Sequence, residues 1–261
     1  MDDRTMKLRS LILCLPMLLL GIGPQAKAET LIVASDHWCP YNCAEADGRE
    51  GYAVDILRTI FEPLGIVVDY RLMGWERAVE EARRGHATAV IGAIEKEVPG
   101  FILPEENIGV SALAFFVRAN DPWRYRGVES FLGKSLGIPD GYGLDSVLED
   151  FLAAHQGEIA LYRAGRQLPA QHNLQLLMEG RLDIVGDNAQ VVRYLANSMG
   201  IGESVTYAGD DECRTPLYIA FSPADQRSAR YAALFDEGIR RLRKTERLRA
   251  ILARYGLTDW K

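Results

Sequence analysis

The sequence predicts an α/β protein built of two lobes with a cleft between them. Apolar runs of strand length alternate with stretches of helical periodicity, the alternation breaks once near 119–122 and resumes, and two amphipathic helices close the chain. In open α/β sheets, ligands bind beyond the carboxyl ends of the strands, and pockets favour domain interfaces. We therefore expect the functional residues in the loops that follow the strands and border the cleft.

The first 28 residues read as a secretory signal peptide. Basic residues precede an apolar run at 11–22, and the small-x-small pattern Ala-Lys-Ala stands at 26–28. The run has 12 residues, whereas a membrane-spanning helix needs about 20, so we expect it to be removed and not to serve as an anchor. The sequence thus predicts an exported protein whose mature chain starts at Glu29.

The mature chain is acidic. Removal of the signal peptide takes four basic and two acidic residues from the chain's 30 and 36, which leaves 26 and 34 and a net charge of −8. Such a protein is a poor candidate for binding nucleic acid or anionic lipid. The basic stretch at 240–249 has apolar residues at helical spacing and reads as a solvated helix face. The motifs GxxxxGK[ST], HExxH, GxSxG and GxGxxG are absent, so we expect no cofactor and no metal.

The first half of the mature chain predicts strand, helix, strand, helix, strand. The strands are short apolar runs suited to a buried parallel sheet, and glycines close both helices. The predicted elements are a strand at 31–35, a helix ending at Gly65, a strand at 66–73, a helix at 75–84 and a strand at 88–92.

The second half repeats this order after a strand at 111–118 and a turn at 119–122. The predicted elements are strands at 135–138, 158–162 and 182–186, helices at 144–155, 169–179 and 188–199, then a strand at 217–222 and helices at 226–242 and 245–255. We expect one lobe at 29–118 plus 217–261, a second lobe at 122–213, and hinge crossings near 119–121 and 214–216.

Six segments follow one another in an order that is specific as a set, although each alone is weak. They are LIVASDHWCPYN, GYAVDILRTIFEPLG, WERAVEEARRGHATAVIG, GKSLGIPDGYGLDSVLEDF, LLMEGRLDIVGDNAQVVRYL and LYIAFSPADQ. Together they resemble the periplasmic solute-binding proteins of polar amino acid ABC transporters, the bacterial family-3 binding proteins. The resemblance covers the mature chain and implies a type II periplasmic-binding-protein fold, with two α/β lobes that close on a small polar solute by a two-segment hinge.

The resemblance also implies a periplasmic, monomeric binding protein that performs no chemistry and delivers its solute to an inner-membrane ABC permease. A sensor that presents the solute to a membrane receptor is an alternative, since that difference lies in the partner. A dehydratase-type enzyme is another, because some two-lobed proteins of this fold are dehydratases. Against an enzyme, no nucleophile with a neighbouring base is apparent in the sequence.

One segment departs from the family pattern. In the family, the strand that resembles TAVIGAI is followed by T-x-T-x-x-R, whose arginine grips the ligand α-carboxylate as a bidentate fork. Here no arginine occurs between Arg84 and Arg118, and the nearby Lys96 is a point donor and not a planar fork. The departure argues against an α-amino acid and favours a ligand with a positive or polar end.

The resemblance places candidate ligand contacts beside the cleft: Asp36, Trp38, Tyr52, Trp75, Tyr142 and Asp187. Trp38 matches an aromatic side chain that stacks on the ligand, and a flat ring favours apolar or cationic groups. Asp187 matches the second-lobe aspartate that binds a ligand ammonium group. Four of them have a structural alternative, namely core packing for Trp38, Tyr52 and Trp75 and helix capping for Asp187.

Three cysteines remain after processing: Cys39, Cys43 and Cys213. In an oxidising compartment we expect one disulfide, either between Cys39 and Cys43 or between one of these and Cys213. A thioredoxin-like redox pair is disfavoured because three residues, including Pro40, separate the first two cysteines. A metal site at His37, Cys39 and Cys43 lacks a second ligand cluster with zinc-site spacing.

Overall fold

A computed structural model describes residues 29–44, 48–140, 144, 146–165 and 168–260. The predicted signal peptide and the candidate contact Tyr142 lie outside the described residues. The described chain forms two five-stranded sheets with helices packed against them. The predicted α/β architecture with two lobes is confirmed. No helix in these ranges is long and apolar enough to cross a membrane.

The first lobe is built on a mixed sheet. Its strands are β1 (Glu29–Ser35), β2 (Ile66–Leu72), β3 (Ala89–Ala93), β4 (Gly109–Ser111) and β10 (Thr215–Phe221), in the spatial order β2-β1-β3-β10-β4. Strand β1 runs parallel to β2 and β3, whereas β10 is antiparallel to β3 and β4. Because β1 has a neighbour on each side and helices over its faces, its sequence is a continuous apolar run.

Four helices cover this sheet: α1 (Tyr52–Phe61), α2 (Trp75–Arg83), α6 (Ser228–Lys244) and α7 (Arg247–Ala253). Helix α1 buries Val54, Leu57 and Phe61, the positions at which the apolar period falls. Helices α1 and α6 approach closely at Gly238, where a Cβ atom would lie 2.5 Å from Ile60 Cγ2. The glycine is therefore required by the packing of these two helices.

The second lobe has the sheet order β7-β6-β8-β5-β9. Its strands are β5 (Leu113–Arg118), β6 (Ser135–Pro139), β7 (Ala160–Ala164), β8 (Ile184–Asn188) and β9 (Val205–Asp210), and its helices are α3 (Ser146–Ala154), α4 (Pro169–Met178) and α5 (Ala189–Ser198). Strand β6 is parallel to β7 and β8, and β5 is antiparallel to β8 and β9.

The crossings between the lobes differ from the predicted positions. Strand β5, which the sequence placed in the first lobe, pairs with β8 and β9 of the second sheet. The first crossing is therefore at Ala112 and not at 119–121, and the second runs through 211–214, because Thr215 already pairs with Ser111 of β4. Hydropathy does not change at Ala112, so the apolar pattern at 111–118 predicts a single strand.

The two crossings run side by side. On the first-lobe side, Ser111 is opposite Thr215. On the second-lobe side, Ala114 is opposite Asp210, and Asp211 N donates a hydrogen bond to Leu113 O at 3.1 Å. The lobes are thus joined by two adjacent extended segments at the base of the cleft.

Candidate functional site

A cavity of about 290 Å³ lies between the two lobes. Its lining comes from the loop after β1, from β3 and the turn after it, from the carboxyl ends of β6 and β8, and from both crossings. This volume suits a small solute. The strand ends of both sheets therefore converge on one space, as expected for a ligand site in open α/β sheets.

The first-lobe wall is the loop DHWCPYNC at 36–43. The loop is held by hydrogen bonds from Trp38 N to Asn42 O at 2.8 Å and from Asn42 Nδ2 to Asp36 O at 2.8 Å. A disulfide joins Cys39 to Cys43. Of the two possibilities that the sequence left open, the structure therefore has the local pairing. Cys213 is an exposed free thiol on the second crossing. The cysteines fix the shape of the loop that carries Asp36 and Trp38.

Trp38 lines the cavity and stacks on Tyr41, with ring centroids 4.3 Å apart and planes inclined by 13°. Gly92 of β3 lies beside it with φ of 83°, and a Cβ atom there would lie 3.5 Å from the Trp38 ring. Trp75, at the start of α2, also lines the cavity and is half-buried. These two predicted residues therefore supply aromatic surface to the cavity.

Tyr52 is not among the residues that line the cavity, which corrects its predicted position. Its side chain is 2% exposed, and its hydroxyl donates a hydrogen bond to Ile108 O at 2.9 Å. Its ring lies 5.1 Å from that of Tyr41, behind the loop. As the first residue of α1, Tyr52 points under the loop, so it supports Tyr41 and, through it, Trp38.

Asp187 is the penultimate residue of β8 and lines the cavity, although its side chain is 1% exposed. Its Oδ1 accepts a hydrogen bond from Asn188 N at 2.6 Å, and no described residue forms an ion pair with it. Burial raises the pKa of Asp187 to about 7, and the bond from Asn188 N offsets part of that effect. The carboxyl group therefore has no counter-charge among the described residues.

The capping role considered for Asp187 belongs to its neighbour. Asn188 is the N-cap of α5, and its Oδ1 accepts hydrogen bonds from Gln190 N at 2.9 Å and Val191 N at 3.4 Å. Asp187 is one position earlier, on the strand side of the cap. The carboxyl group of Asp187 therefore does not cap α5 and is one of the groups that line the cavity.

Asp36 and Glu97 add negative charge on the first-lobe side. Burial raises the pKa of Asp36, against the opposing effect of hydrogen bonds that include one from Asn42. Burial also raises the pKa of Glu97, and the charge of Asp36 adds to that rise. The described lining holds five carboxyl groups, one ammonium group and no guanidinium group: Asp36, Glu97, Asp140, Asp187 and Asp211 against Lys96.

Residues 31–258 match the family model of the bacterial extracellular solute-binding proteins, family 3. The chain belongs to this family. No curated protein matches this family-3 solute-binding protein. Solved structures do match it, each at low sequence identity, so the similarity supports the fold alone.

One similar chain comes from a structural study of glutathione import in Gram-positive bacteria via GshT and the cystine ABC importer TcyBC of Streptococcus mutans. It is 15% identical in sequence, with a TM-score of 0.74, and the match covers 90% of this chain and 99% of that one. A probable amino-acid ABC transporter extracellular-binding protein from Bacillus subtilis has 15% identity, a TM-score of 0.71 and coverage of 88% and 98%. A histidine kinase sensor domain with similarity to periplasmic binding proteins has 23% identity, a TM-score of 0.66 and coverage of 87% and 95%.

For this family-3 solute-binding protein, the sequence did not single out Tyr41, Asn188 or Glu97. Asn188 had one available signal, since Asn is a preferred N-cap residue and begins a predicted helix. Tyr41 and Glu97 had none, because an aromatic residue in a loop and a glutamate in a charged turn are common on surfaces. Their roles depend on contacts between segments that are distant in sequence.

Proposed function

We propose that this protein binds a small polar solute in the cavity between its lobes, in the periplasm, and delivers it to an inner-membrane ABC permease. The observation that carries the proposal is the composition of the cavity lining, which draws strand ends from both sheets and both crossings. A solute in that position touches both lobes, so its binding energy favours the conformation in which the lobes are closed.

Four predicted residues take roles in this proposal. Asp187 supplies a charged acceptor from the second lobe, and Asp36 supplies one from the first. Trp38 and Trp75 provide the apolar and aromatic walls against which the solute packs. Tyr142 stays a prediction, since it lies outside the described residues.

A sensor role is the second candidate. The support for it is the similarity to a histidine kinase sensor domain, at 23% identity over 87% of this chain. The two roles share the cavity and differ in the membrane partner. Photo-crosslinking of the protein in its native membranes, with mass spectrometry of the captured chain, separates them: a multi-span permease supports delivery, and a receptor with a signalling domain supports sensing.

The binding function itself is tested by native mass spectrometry of the protein purified from its own cells without refolding. We expect a small molecule bound at one copy per chain that is released on denaturation, and less of it on the Asp187→Asn variant. The Asp150→Asn variant is the control, because Asp150 is exposed on α3 and does not line the cavity. A solute-free protein that also shows no thermal shift with a broad panel of small polar compounds would contradict the proposal.

A further inference from the structure

The balance of charge in the cavity disfavours a ligand with a carboxylate. Among the described lining residues, Lys96 is the sole cationic side chain apart from the ionisable His37. Lys96 is exposed, it lies in the turn Glu95–Glu97, and its charge already acts on Glu97. Among the described lining residues, a carboxylate would face the acidic groups of Asp36, Glu97 and Asp187 and one exposed ammonium group whose charge already acts on Glu97. Such an arrangement selects against anionic groups by repulsion.

Asp187 supplies the opposite kind of site. Its carboxyl group is almost fully buried, accepts one hydrogen bond from Asn188 N and has no cationic partner among the described residues. A buried carboxylate without a counter-charge is costly, and a ligand ammonium group would provide both the charge and the hydrogen-bond donors. A primary amine is therefore the ligand group that this position accommodates best.

Apolar side chains make up much of the rest of the described lining. They come from both lobes and include two aromatic side chains: Trp38, Trp75, Ile91, Leu113, Leu195 and Leu217. Aliphatic and aromatic walls favour an apolar body, and the indole faces also attract a cation.

From these observations we infer that the solute is an organic amine with an apolar body and no carboxylate group, bound with its ammonium group at Asp187. This inference rests on the proposed binding function and specifies the ligand class of the same cavity. It also accounts for a chain that keeps the second-lobe aspartate and lacks an arginine between Arg84 and Arg118.

Calorimetric titration with matched compounds tests the inference. The probes are phenethylamine, tyramine and isoamylamine, each beside the amino acid with the same side chain, namely phenylalanine, tyrosine and leucine. We expect at least one amine to bind about tenfold or more tightly than its amino acid, because only the amino acid brings a carboxylate into the acidic cavity. 3-Phenylpropionate, which keeps the carboxylate and lacks the amine, is expected not to bind.

Two variants show which group is responsible. Asp187→Asn is nearly isosteric and removes the buried charge, so we expect it to fold and to weaken amine binding by about 10- to 100-fold, the effect of one charge-assisted hydrogen bond. Asp150→Asn removes an equal charge from the surface of the same lobe and should leave amine affinity unchanged. Lys96→Gln should not weaken amine binding.

Three results would overturn the inference: tighter binding of an amino acid than of its amine, binding of an amino acid that Lys96→Gln abolishes, or no binding by any of the three amines. The first two leave the binding function standing with a different ligand class. The third, combined with the absence of a co-purified solute, would remove the binding function as well.

Discussion

The side-chain amide of Asn188 contacts the hydroxyl of Tyr41 across the two lobes, with 3.1 Å between Nδ2 and Oη. The same amide nitrogen lies 3.3 Å from Ser111 Oγ, next to the first crossing. Tyr41 stacks on Trp38, and Asn188 directly follows Asp187. This contact therefore joins the aromatic wall of the first lobe to the acidic end of the cavity in the second.

Replacement of Tyr41 by phenylalanine removes this contact and keeps the ring stacking. Because both side chains are about 1% exposed, the amide of Asn188 loses a buried partner and retains Ser111. We expect the free energy of unfolding to fall by about 1 kcal/mol, with weaker solute binding, measured by urea denaturation and calorimetry. Tyr162→Phe is the control, since its hydroxyl contacts His172 at 3.0 Å on the surface. Equal effects of the two variants would contradict a special role for Tyr41.

Asp187 predicts a dependence of stability on pH. Its carboxyl group has a pKa of about 7 in the folded protein, raised by burial from an ordinary value of 3.8. Between these values the folded state holds a proton that the unfolded state has released, so the stability of the solute-free protein falls as pH rises through this window. The contribution of this group is at most about 1.4 kcal/mol per pH unit.

The measurement is urea denaturation of the wild type and Asp187→Asn from pH 4 to pH 8. The difference between the two curves isolates Asp187 from the other ionisable groups around the cavity: Asp36, His37, Lys96, Glu97, Asp140 and Asp211. We expect the variant to gain stability relative to the wild type as pH rises from 4 to 7, and the difference to level off above pH 7, where the carboxyl group has lost its proton in both the folded and the unfolded state. Parallel curves would show that Asp187 does not titrate in this range.

The disulfide should stabilise the loop more than the whole fold. Cys39 and Cys43 are separated by four positions, so the loop that they close is short. On the chain-entropy estimate, Cys39→Ser with Cys43→Ser lowers the free energy of unfolding by about 2 kcal/mol. We expect lower solute affinity as well, because the loop carries Asp36 and Trp38. Cys213→Ser is the control for the free energy of unfolding, which it should leave unchanged because the thiol is free and exposed. Peptide mapping that finds Cys213 bonded would contradict this account.

Gly92 allows a test of the Trp38 wall. Gly92 and Gly100 have φ values of 83° and 85°, so alanine at either position costs about 1 to 2 kcal/mol of backbone strain. Gly92 lines the cavity, and a methyl group there would lie in contact with the Trp38 ring at 3.5 Å and take up room beside the solute. Gly100 does not line the cavity, and no atom lies within 4 Å of a Cβ atom built there. We expect similar losses of stability and, for Gly92→Ala alone, weaker solute binding by calorimetry. Loss of binding in Gly100→Ala would point to a general effect of strain.

The sequence was most informative where periodicity and order decide the structure. Buried strands such as β1 and amphipathic helices such as α2 were predicted with nearly their observed bounds. Strand β9 was missed because it is a half-exposed edge strand of mixed composition, VTYAGD, with little apolar signal. The lobe assignment of β5 was wrong because hydropathy does not change at Ala112, where the chain crosses between sheets.

The sequence predicts which segments border the cavity better than it predicts which side chains touch one another. Residues at or just after the carboxyl ends of strands, such as Asp36, Trp38 and Asp187, do line the cavity. Tyr52 does not, because the direction of a side chain at a helix start depends on how the loop before it folds. The contact between Tyr41 and Asn188 joins residues 147 positions apart, and no local pattern predicts it.

A crystal structure of the protein purified from its own cells together with its solute tests the central claim most directly. The account predicts a single small molecule between the lobes, with a hydrogen bond to the carboxyl group of Asp187 and its body against the Trp38 ring. A solute that touches one lobe only, or one bound outside the cavity, would contradict it.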